Sequence, residues 1–169
     1  MADIQEVPLY DRDFCEWAQD QARAMRGLRD AMVGQGNLPA ALAALDWDNL
    51  FEELDDLAGK ERRELRSRIA TIVEHLAKLA LSPSREPRAG WRETVRRSRI
   101  EIELLFVHSP SLRREVADTL RLPAVARAAK AAVENLADLG EIPGLTPAPA
   151  FNASNVLEDW WPDQKGTVE

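Results

Sequence analysis

The 169 residues of this chain suit a single domain with its own core, and 45% hydrophobic with 30% charged residues excludes a disordered chain. We see no apolar run long enough to span a bilayer and no apolar stretch after basic residues near Met1, so we expect neither a transmembrane helix nor a signal peptide. The single cysteine, Cys15, excludes an internal disulfide, which favours a cytoplasmic protein in which Cys15 is a small buried hydrophobic residue.

The net charge of −7 is distributed unevenly along the chain. Residues 1–57 carry 13 acidic side chains against 4 arginines, and residues 58–100 carry 12 basic side chains against 5 glutamates. Residues 101–169 are acidic again, with 11 acidic side chains against 6 basic ones. The overall pI of about 5.0 argues against a dedicated nucleic-acid binder, although the middle of the chain is basic.

The first predicted helix begins at Asp11 or Asp13, either of which can cap it, and ends at the glycine-rich segment 34–39. The alanine-rich segment 40–45 favours a short helical turn. The side chains predicted to face the core are Phe14, Trp17, Gln21, Leu28 and Met32, with Ala18 and Met25 beside them.

Asp46 is predicted to cap the next helix, in which Gly59 indicates a break or kink. Before the glycine, the apolar stripe consists of Leu50, Leu54 and Leu57. After it, the apolar spacing is typical of helices that pack nearly antiparallel: Leu65, Ile69, Ile72, Leu76 and Leu79. Segment 82–87 contains two prolines and ends this helix.

The following helix is predicted over 91–107, with Trp91, Val95, Ile102 and Leu105 or Phe106 facing inward. Ser109 and Pro110 indicate a restart, with serine as the cap and proline at the first helical position. The same face continues through Leu112, Val116 and Leu120. Pro123 either kinks this helix or begins a separate one, and Gly140 caps the helical segment 124–139.

These elements predict an all-α fold, an antiparallel bundle of four to five main helices over residues 1–140. Residues 141–169 form a Pro-rich linker and a Trp-containing tail that docks on the same domain. We expect Trp160 and Trp161 to anchor the tail in a groove of the same chain. The alternatives are an arm swapped between subunits, or an exposed tryptophan pair that marks a partner surface.

A series of short motifs covers nearly the whole chain. They are Tyr10-Asp11, Asp13-Phe14 with Trp17, Asp46-Trp47-Asp48-Asn49-Leu50, Glu52-Glu53, Glu61-Arg62-Arg63-Glu64-Leu65, His75-Leu76 with Lys78, Trp91-Arg92 with Thr94, Arg99, and Ser109-Pro110-Ser111-Leu112. In order and spacing they resemble the signature of the bacterial family known as "domain of unknown function 29". The chain departs from the family pattern in a longer stretch at 34–44. It also departs at Leu122-Pro123, where the family pattern leads us to expect an unbroken helix. The resemblance implies a helical fold of bacterial origin and brings no activity, cofactor or catalytic residue.

A line of polar residues offers one candidate site. Glu61, Arg68 and His75 are seven residues apart, so they stack along one side of the helix beside its apolar seam. With Glu52 or Glu53 from the preceding segment, and Arg92 or Arg99 from the next helix, they can support acid–base chemistry. The alternative is a structural polar network beneath Trp47 and Trp91.

We expect neither a metal nor another cofactor. The Glu-x-x-His pairs of di-iron bundles are missing, because Ile72 and Leu105 stand three residues before His75 and His108. Phosphate-binding glycine loops and the nucleophile motifs of hydrolases are missing as well. The missing motifs favour a non-enzymatic protein and leave an enzyme as the alternative.

A second candidate site lies between Arg85 and Arg99, where six arginines stand against two acids. Arg92, Arg96 and Arg99 share one face next to Trp91, an arrangement that suits phosphate contacts and base stacking. The alternative is ordinary ion pairing, with neighbouring glutamates or with the acidic first helix.

Three functional hypotheses follow. The leading one is a non-enzymatic interaction or regulatory module that contacts protein, either a second copy as a homodimer or another bacterial protein, without a membrane. The second is a nucleic-acid-associated protein that uses Trp91, Arg92, Arg96 and Arg99. The third is an enzyme or ligand-binding protein centred on Glu53, His75 and Arg99.

Overall fold

A computed structural model describes residues 7–36 and 39–162, and every regular element in these ranges is a helix. In chain order they are α1 (Leu9–Arg12), α2 (Phe14–Gly34), α3 (Ala40–Ala43), α4 (Trp47–Leu81), α5 (Arg88–His108), a 3-10 helix (Pro110–Glu115), α6 (Val116–Leu120), α7 (Pro123–Asp138) and α8 (Ala153–Leu157). The long α4 is central, and α2, α5 and α7 pack around it. The predicted all-α bundle is confirmed. Residues 1–6, residues 37 and 38 of the predicted helix break, and residues 163–169 of the predicted tail lie outside the described residues.

The central helix α4 runs without interruption for 35 residues, so the predicted break at Gly59 is wrong. An interior glycine costs a helix only about 1 kcal/mol, which the packing on both sides outweighs. The Asp46 side chain caps α4 by accepting from the Asn49 amide at 3.2 Å, as predicted. The predicted seam is also confirmed, because all five of its members are buried: Leu65, Ile69, Ile72, Leu76 and Leu79.

The fully buried face of α2 is shifted from the predicted one, although Trp17 packs against the core, and the apolar stripe in the first half of α4 is only half-buried or exposed. In α2 the buried residues are Cys15, Ala18 and Ala22, whereas Leu28 is 54% exposed. These small side chains let the two helices approach closely, with the Cys15 thiol 3.8 Å from the Ala58 carbonyl. Consequently the larger α2 side chains lie beside the contact rather than in it. On α4, likewise, Phe51 and Ala58 are buried in place of Leu50, Leu54 and Leu57.

The second half of the chain follows the prediction more closely. In α5 the buried face contains Val95, Ile102 and Phe106. Pro110 begins a helix as predicted, although it is of the 3-10 type and the Ser109 side chain does not cap it. Pro123 begins the separate helix α7, which decides between the two alternatives for this proline.

The end of α7 and the tail close the bundle. Gly140 takes φ +73°, and the amides of Gly140 and Glu141 donate back to the carbonyls of Ala137 and Leu136, which is the glycine-dependent termination of an α-helix. The linker then leads to α8. Val156 and Trp161 join the core, at 0% and 3% exposure.

Candidate functional site

The candidates for acid–base chemistry do not form one site. Because α4 is continuous, Glu53 and His75 lie about 33 Å apart along its axis. Glu53 is exposed, and Nδ1 of His75 lies 2.9 Å from the carbonyl oxygen of Thr71 on the same helix. Arg99 contacts the tail instead. The structure therefore does not bring together the three side chains of the third hypothesis.

The line of Glu61, Arg68 and His75 also divides into separate contacts. Glu61 accepts a hydrogen bond from Ser109, whereas Arg68 pairs with Glu64 at 2.6 Å and with Glu101 of α5 at 2.9 Å. Each member thus connects α4 to a different neighbour, or to its own preceding turn. The expected continuous Glu–Arg–His network is not formed.

One end of that line belongs to a buried cluster that the sequence analysis did not identify. Asp13 is 4% exposed and accepts three hydrogen bonds. Its Oδ1 accepts from the Glu16 amide and from the Ser111 hydroxyl, both at 2.9 Å, and its Oδ2 accepts from the Ser111 amide at 2.6 Å. The first bond caps α2, and the other two attach the 3-10 helix to α2.

Ser109 completes this cluster. Its fully buried hydroxyl accepts from the Cys15 amide at 3.0 Å and donates to the Glu61 carboxylate. We call the set Asp13, Cys15, Glu61, Ser109 and Ser111 the polar junction, because it ties α2, α4 and the loop after α5 together. Its polar atoms are used for helix-to-helix contacts, which suits a structural role.

Cys15 itself is not poised as a nucleophile. Its side chain is fully buried, and this burial raises the pKa of the thiol to about 11, partly offset by the nearby Arg62 guanidinium. A protonated thiol is a poor nucleophile near neutral pH. The prediction of a small buried hydrophobic residue is confirmed.

A polar groove lies beside the junction. Arg62 donates from Nε and Nη2 to both carboxylate oxygens of Glu115 at 2.7–3.0 Å, and this hydrogen bonding raises the pKa of Arg62. The adjoining groove has a volume of about 370 Å³ and also contains Arg66 and Asp118. Because the two arginines face two carboxylates, the groove has no strong preference for ligands of either charge.

The predicted basic face on α5 is partly covered by the tail. The Arg99 side chain is 10% exposed and donates to three tail carbonyls, those of Asn155, Val156 and Trp160, each at 2.9 Å. Its remaining nitrogen, Nη1, is buried without a hydrogen-bond partner among the described residues and lies 3.8 Å from Asp159. Desolvation by burial lowers the pKa of Arg99.

The ring of Trp161 lies in the middle of the same face. The guanidinium carbons of Arg92, Arg96 and Arg99 are 5.3, 5.4 and 4.8 Å from its centroid, within the range of cation–π attraction. Its indole Nε1 donates to Asp159 at 2.7 Å. We call Arg99, its three carbonyl acceptors and Trp161 the tail clamp. Nucleic-acid binding at Trp91, Arg92, Arg96 and Arg99 stays a prediction, and it requires Trp161 to leave this position.

The outward side of α5, which faces away from its buried residues and adjoins Arg96, has an apolar row that the sequence analysis did not single out. Ile100, Leu104 and Val107 are 62%, 59% and 73% exposed, and their spacing of four and three places them along one line. The signal in the sequence is an apolar excess between residues 100 and 107, more than one buried face can use. We call these three residues the α5 row.

Two further properties concern the described residues only. In residues 7–36 and 39–162, no three His, Cys, Asp or Glu side chains are grouped so that they can hold a metal ion. Over the same ranges, no helix has both the length and the apolar character needed to cross a bilayer.

A family model described as "Domain of unknown function DUF29" matches residues 9–161. The chain belongs to this family. It is also similar to an α-helical protein of unknown function from Rhodospirillum rubrum, whose crystal structure has a resolution of 1.45 Å. The two are 24% identical over 91% of this chain and 92% of that one, with a TM-score of 0.64, which shows a shared fold. No functionally curated protein gives a significant match.

Several of the motifs that resemble the DUF29 family occur in the two clusters described above. Asp13, Glu61 and the Ser109–Ser111 segment meet in the polar junction, although they are far apart in the chain. Arg99, another motif residue, forms the tail clamp. In this member of the DUF29 family, these motif residues therefore hold helices and tail together.

Proposed function

We propose that this chain is a non-enzymatic protein-interaction module that binds its partner through the outward side of α5. The observation that carries the proposal is the α5 row: Ile100, Leu104 and Val107 remain more than half exposed on one line of a long helix. Adjacent apolar side chains on a surface are characteristic of interaction sites, whereas isolated ones are common on any protein.

The energetics favour covering this row. Complete burial of a Val, Leu or Ile side chain is worth about 1.5–3 kcal/mol. Since each member of the α5 row still exposes more than half of its surface, a partner that covers it gains about 1–2 kcal/mol from each. The row is small, which suits a weak or transient interaction.

The polar clusters support an interaction role over catalysis. The side chains that suggested chemistry in the sequence are engaged in contacts within the chain: Glu61 with Ser109, Arg68 with two glutamates, and Arg99 with the tail. Among the described residues, Glu61, Arg68 and Arg99 thus contact different partners rather than one another. A cytoplasmic setting is part of the proposal, because the single cysteine leaves no internal disulfide to maintain.

Site-specific photo-cross-linking in cells tests the proposal. A benzophenone amino acid replaces Leu104, and in a matched control it replaces Ala131, an exposed residue of α7. We expect a covalent protein adduct with the probe at 104 and none with the probe at 131. In a chain with the probe at Val107, the additional substitution Leu104→Glu should remove the adduct. Equal labelling at 104 and 131, or none at 104, would contradict the proposal.

A further inference from the structure

Charged side chains flank the α5 row in an ordered way. Arg96 and Glu103 are seven residues apart, so they project from the same side of α5, with Arg96 towards its start and Glu103 towards its end. Both side chains are exposed. Glu103 accepts from Arg113 through Oε2 at 2.7 Å, and a carboxylate can accept from a second guanidinium through its other oxygen.

This order of charges distinguishes the ways in which two α5 helices can pair. In a parallel pair the two copies of Arg96 lie on opposite flanks of the contact, and so do the two copies of Glu103, so no Arg96–Glu103 pair forms. In an antiparallel pair related by a two-fold axis, Arg96 of one chain lies on the same flank as Glu103 of the other. A crossing between Ile100 and Leu104 brings these oppositely charged side chains within reach of each other.

The same crossing covers Ile100 and Leu104 of the α5 row. With the two-fold axis midway between Ile100 and Leu104, Ile100 of one chain packs against Leu104 of the other, and this contact occurs twice. The two rows overlap over about 6 Å, and Val107 lies at the edge of the contact, about 8 Å from the axis along the helix. An isologous contact of this kind doubles each favourable interaction.

We infer that the partner on the outward side of α5 is a second copy of this chain, held in an antiparallel α5–α5 contact by the α5 row and by Arg96–Glu103 pairs. This inference rests on the proposed interaction function. A single pair of helices buries less area than a stable obligate dimer needs, so we expect a weak dimer with a dissociation constant on the order of micromolar or higher.

Cysteine cross-linking tests both the contact and its direction. Ile100→Cys and Leu104→Cys place thiols near the expected two-fold axis, and Glu93→Cys places one on the same line of α5, seven residues before Ile100. In the antiparallel dimer the two residues 93 are about 27 Å apart, whereas in a parallel dimer they adjoin. The native Cys15 does not interfere, because it is fully buried. Ala131→Cys on α7 controls for random collisions.

With a short bis-maleimide, we expect covalent dimers of the variants at 100 and 104 and monomers of those at 93 and 131. Monomers of all four variants, at concentrations well above micromolar, would overturn the inference. Efficient cross-linking at 93 would also overturn it, because it indicates a parallel pair. The substituted positions are exposed, and circular dichroism of each variant verifies that the bundle is folded.

Charge reversal provides an independent readout by sedimentation equilibrium. Arg96→Glu and Glu103→Arg should each weaken self-association several-fold, and the double variant should recover most of the loss. Additive losses in the double variant would contradict the Arg96–Glu103 pair. If neither the native chain nor the cysteine variants dimerise while the probe at 104 still captures another protein in cells, the proposed interaction function stands and the inference of a second copy fails.

Discussion

The tail clamp gives a sharp prediction, because one arginine makes most of its polar contacts. Arg99→Ala removes three hydrogen bonds of 2.9 Å to the carbonyls of Asn155, Val156 and Trp160, and with them the guanidinium closest to the Trp161 ring. A hydrogen bond to a charged group contributes about 1.5–3 kcal/mol net to the stability of a folded protein.

The net effect is smaller than the sum of three such bonds. The lowered pKa of Arg99 reflects the desolvation that its charged form undergoes in the folded protein, and this opposes the gain from the carbonyls. Water can also reach part of the tail once the side chain is removed. We therefore expect Arg99→Ala to lower the free energy of unfolding by about 2–3 kcal/mol.

Urea denaturation followed by far-UV circular dichroism measures this loss, and limited proteolysis of the linker reports release of the tail. Arg96→Ala is the matched control. Its exposed guanidinium faces the same ring at 5.4 Å, so its loss should cost about 0.5–1 kcal/mol. Arg99→Lys should be intermediate, because an ammonium cannot reproduce the planar fork of donors. Equal effects of Arg99→Ala and Arg96→Ala would refute the reasoning.

Three further predictions concern the rest of the bundle. Ser109→Ala leaves the buried Cys15 amide and the Glu61 carboxylate without their hydrogen-bond partner. The free energy of unfolding, measured by urea titration, should therefore fall by about 1–3 kcal/mol. A loss no larger than that of Ser111→Ala would contradict this prediction. The raised pKa of the Cys15 thiol means that the folded state keeps its proton between the ordinary value of 9.0 and about 11, where the unfolded state loses it. Stability should therefore decrease as pH rises through that window, and the urea midpoint of Cys15→Ala should show a smaller decrease. Gly59→Ala should stabilise the protein by about 0.5–1 kcal/mol in thermal melts, because the one tight contact of the new methyl group, 3.1 Å, is with the flexible end of Arg63, and Asp56 Oδ1 is at an ordinary distance of 3.7 Å. A lower melting temperature would show that the Arg63 side chain cannot move aside.

The helices with one dominant apolar face were the predictable part of the fold. The seam from Leu65 to Leu79 and the inward residues of α5 follow a 3.6-residue period that is written into the local sequence. The helix ends could be predicted for the same reason, since Asp46 acts on the backbone of the following turn and Gly140 on that of the preceding turn.

Errors occurred where two faces of one helix compete. In α2 the larger side chains, among them Trp17 and Leu28, predicted a face that is shifted from the buried one, because close approach to α4 favoured Cys15, Ala18 and Ala22. Size and hydrophobicity of single residues do not reveal how near a neighbouring helix comes. In α5 the same ambiguity concealed the α5 row.

The sequence predicted the side chains of the candidate sites but not the contacts between them. The basic face and the tryptophan tail were both visible in the sequence, and so was a polar line on α4. The contacts that join Ser109 to Cys15, or Arg99 to Val156, connect residues 94 and 57 positions apart. No local pattern encodes such a pairing.

Composition and periodicity by themselves determined an all-α bundle, the seam of its central helix and the ends of its main helices, because these depend on interactions within a few turns. The tertiary structure decided which face of α2 is inward, which polar groups satisfy one another at the junction, and that Trp161 occupies the arginine face. It also left Ile100, Leu104 and Val107 in solvent. These outcomes depend on the distances between helices, which emerge only when all of them pack at once.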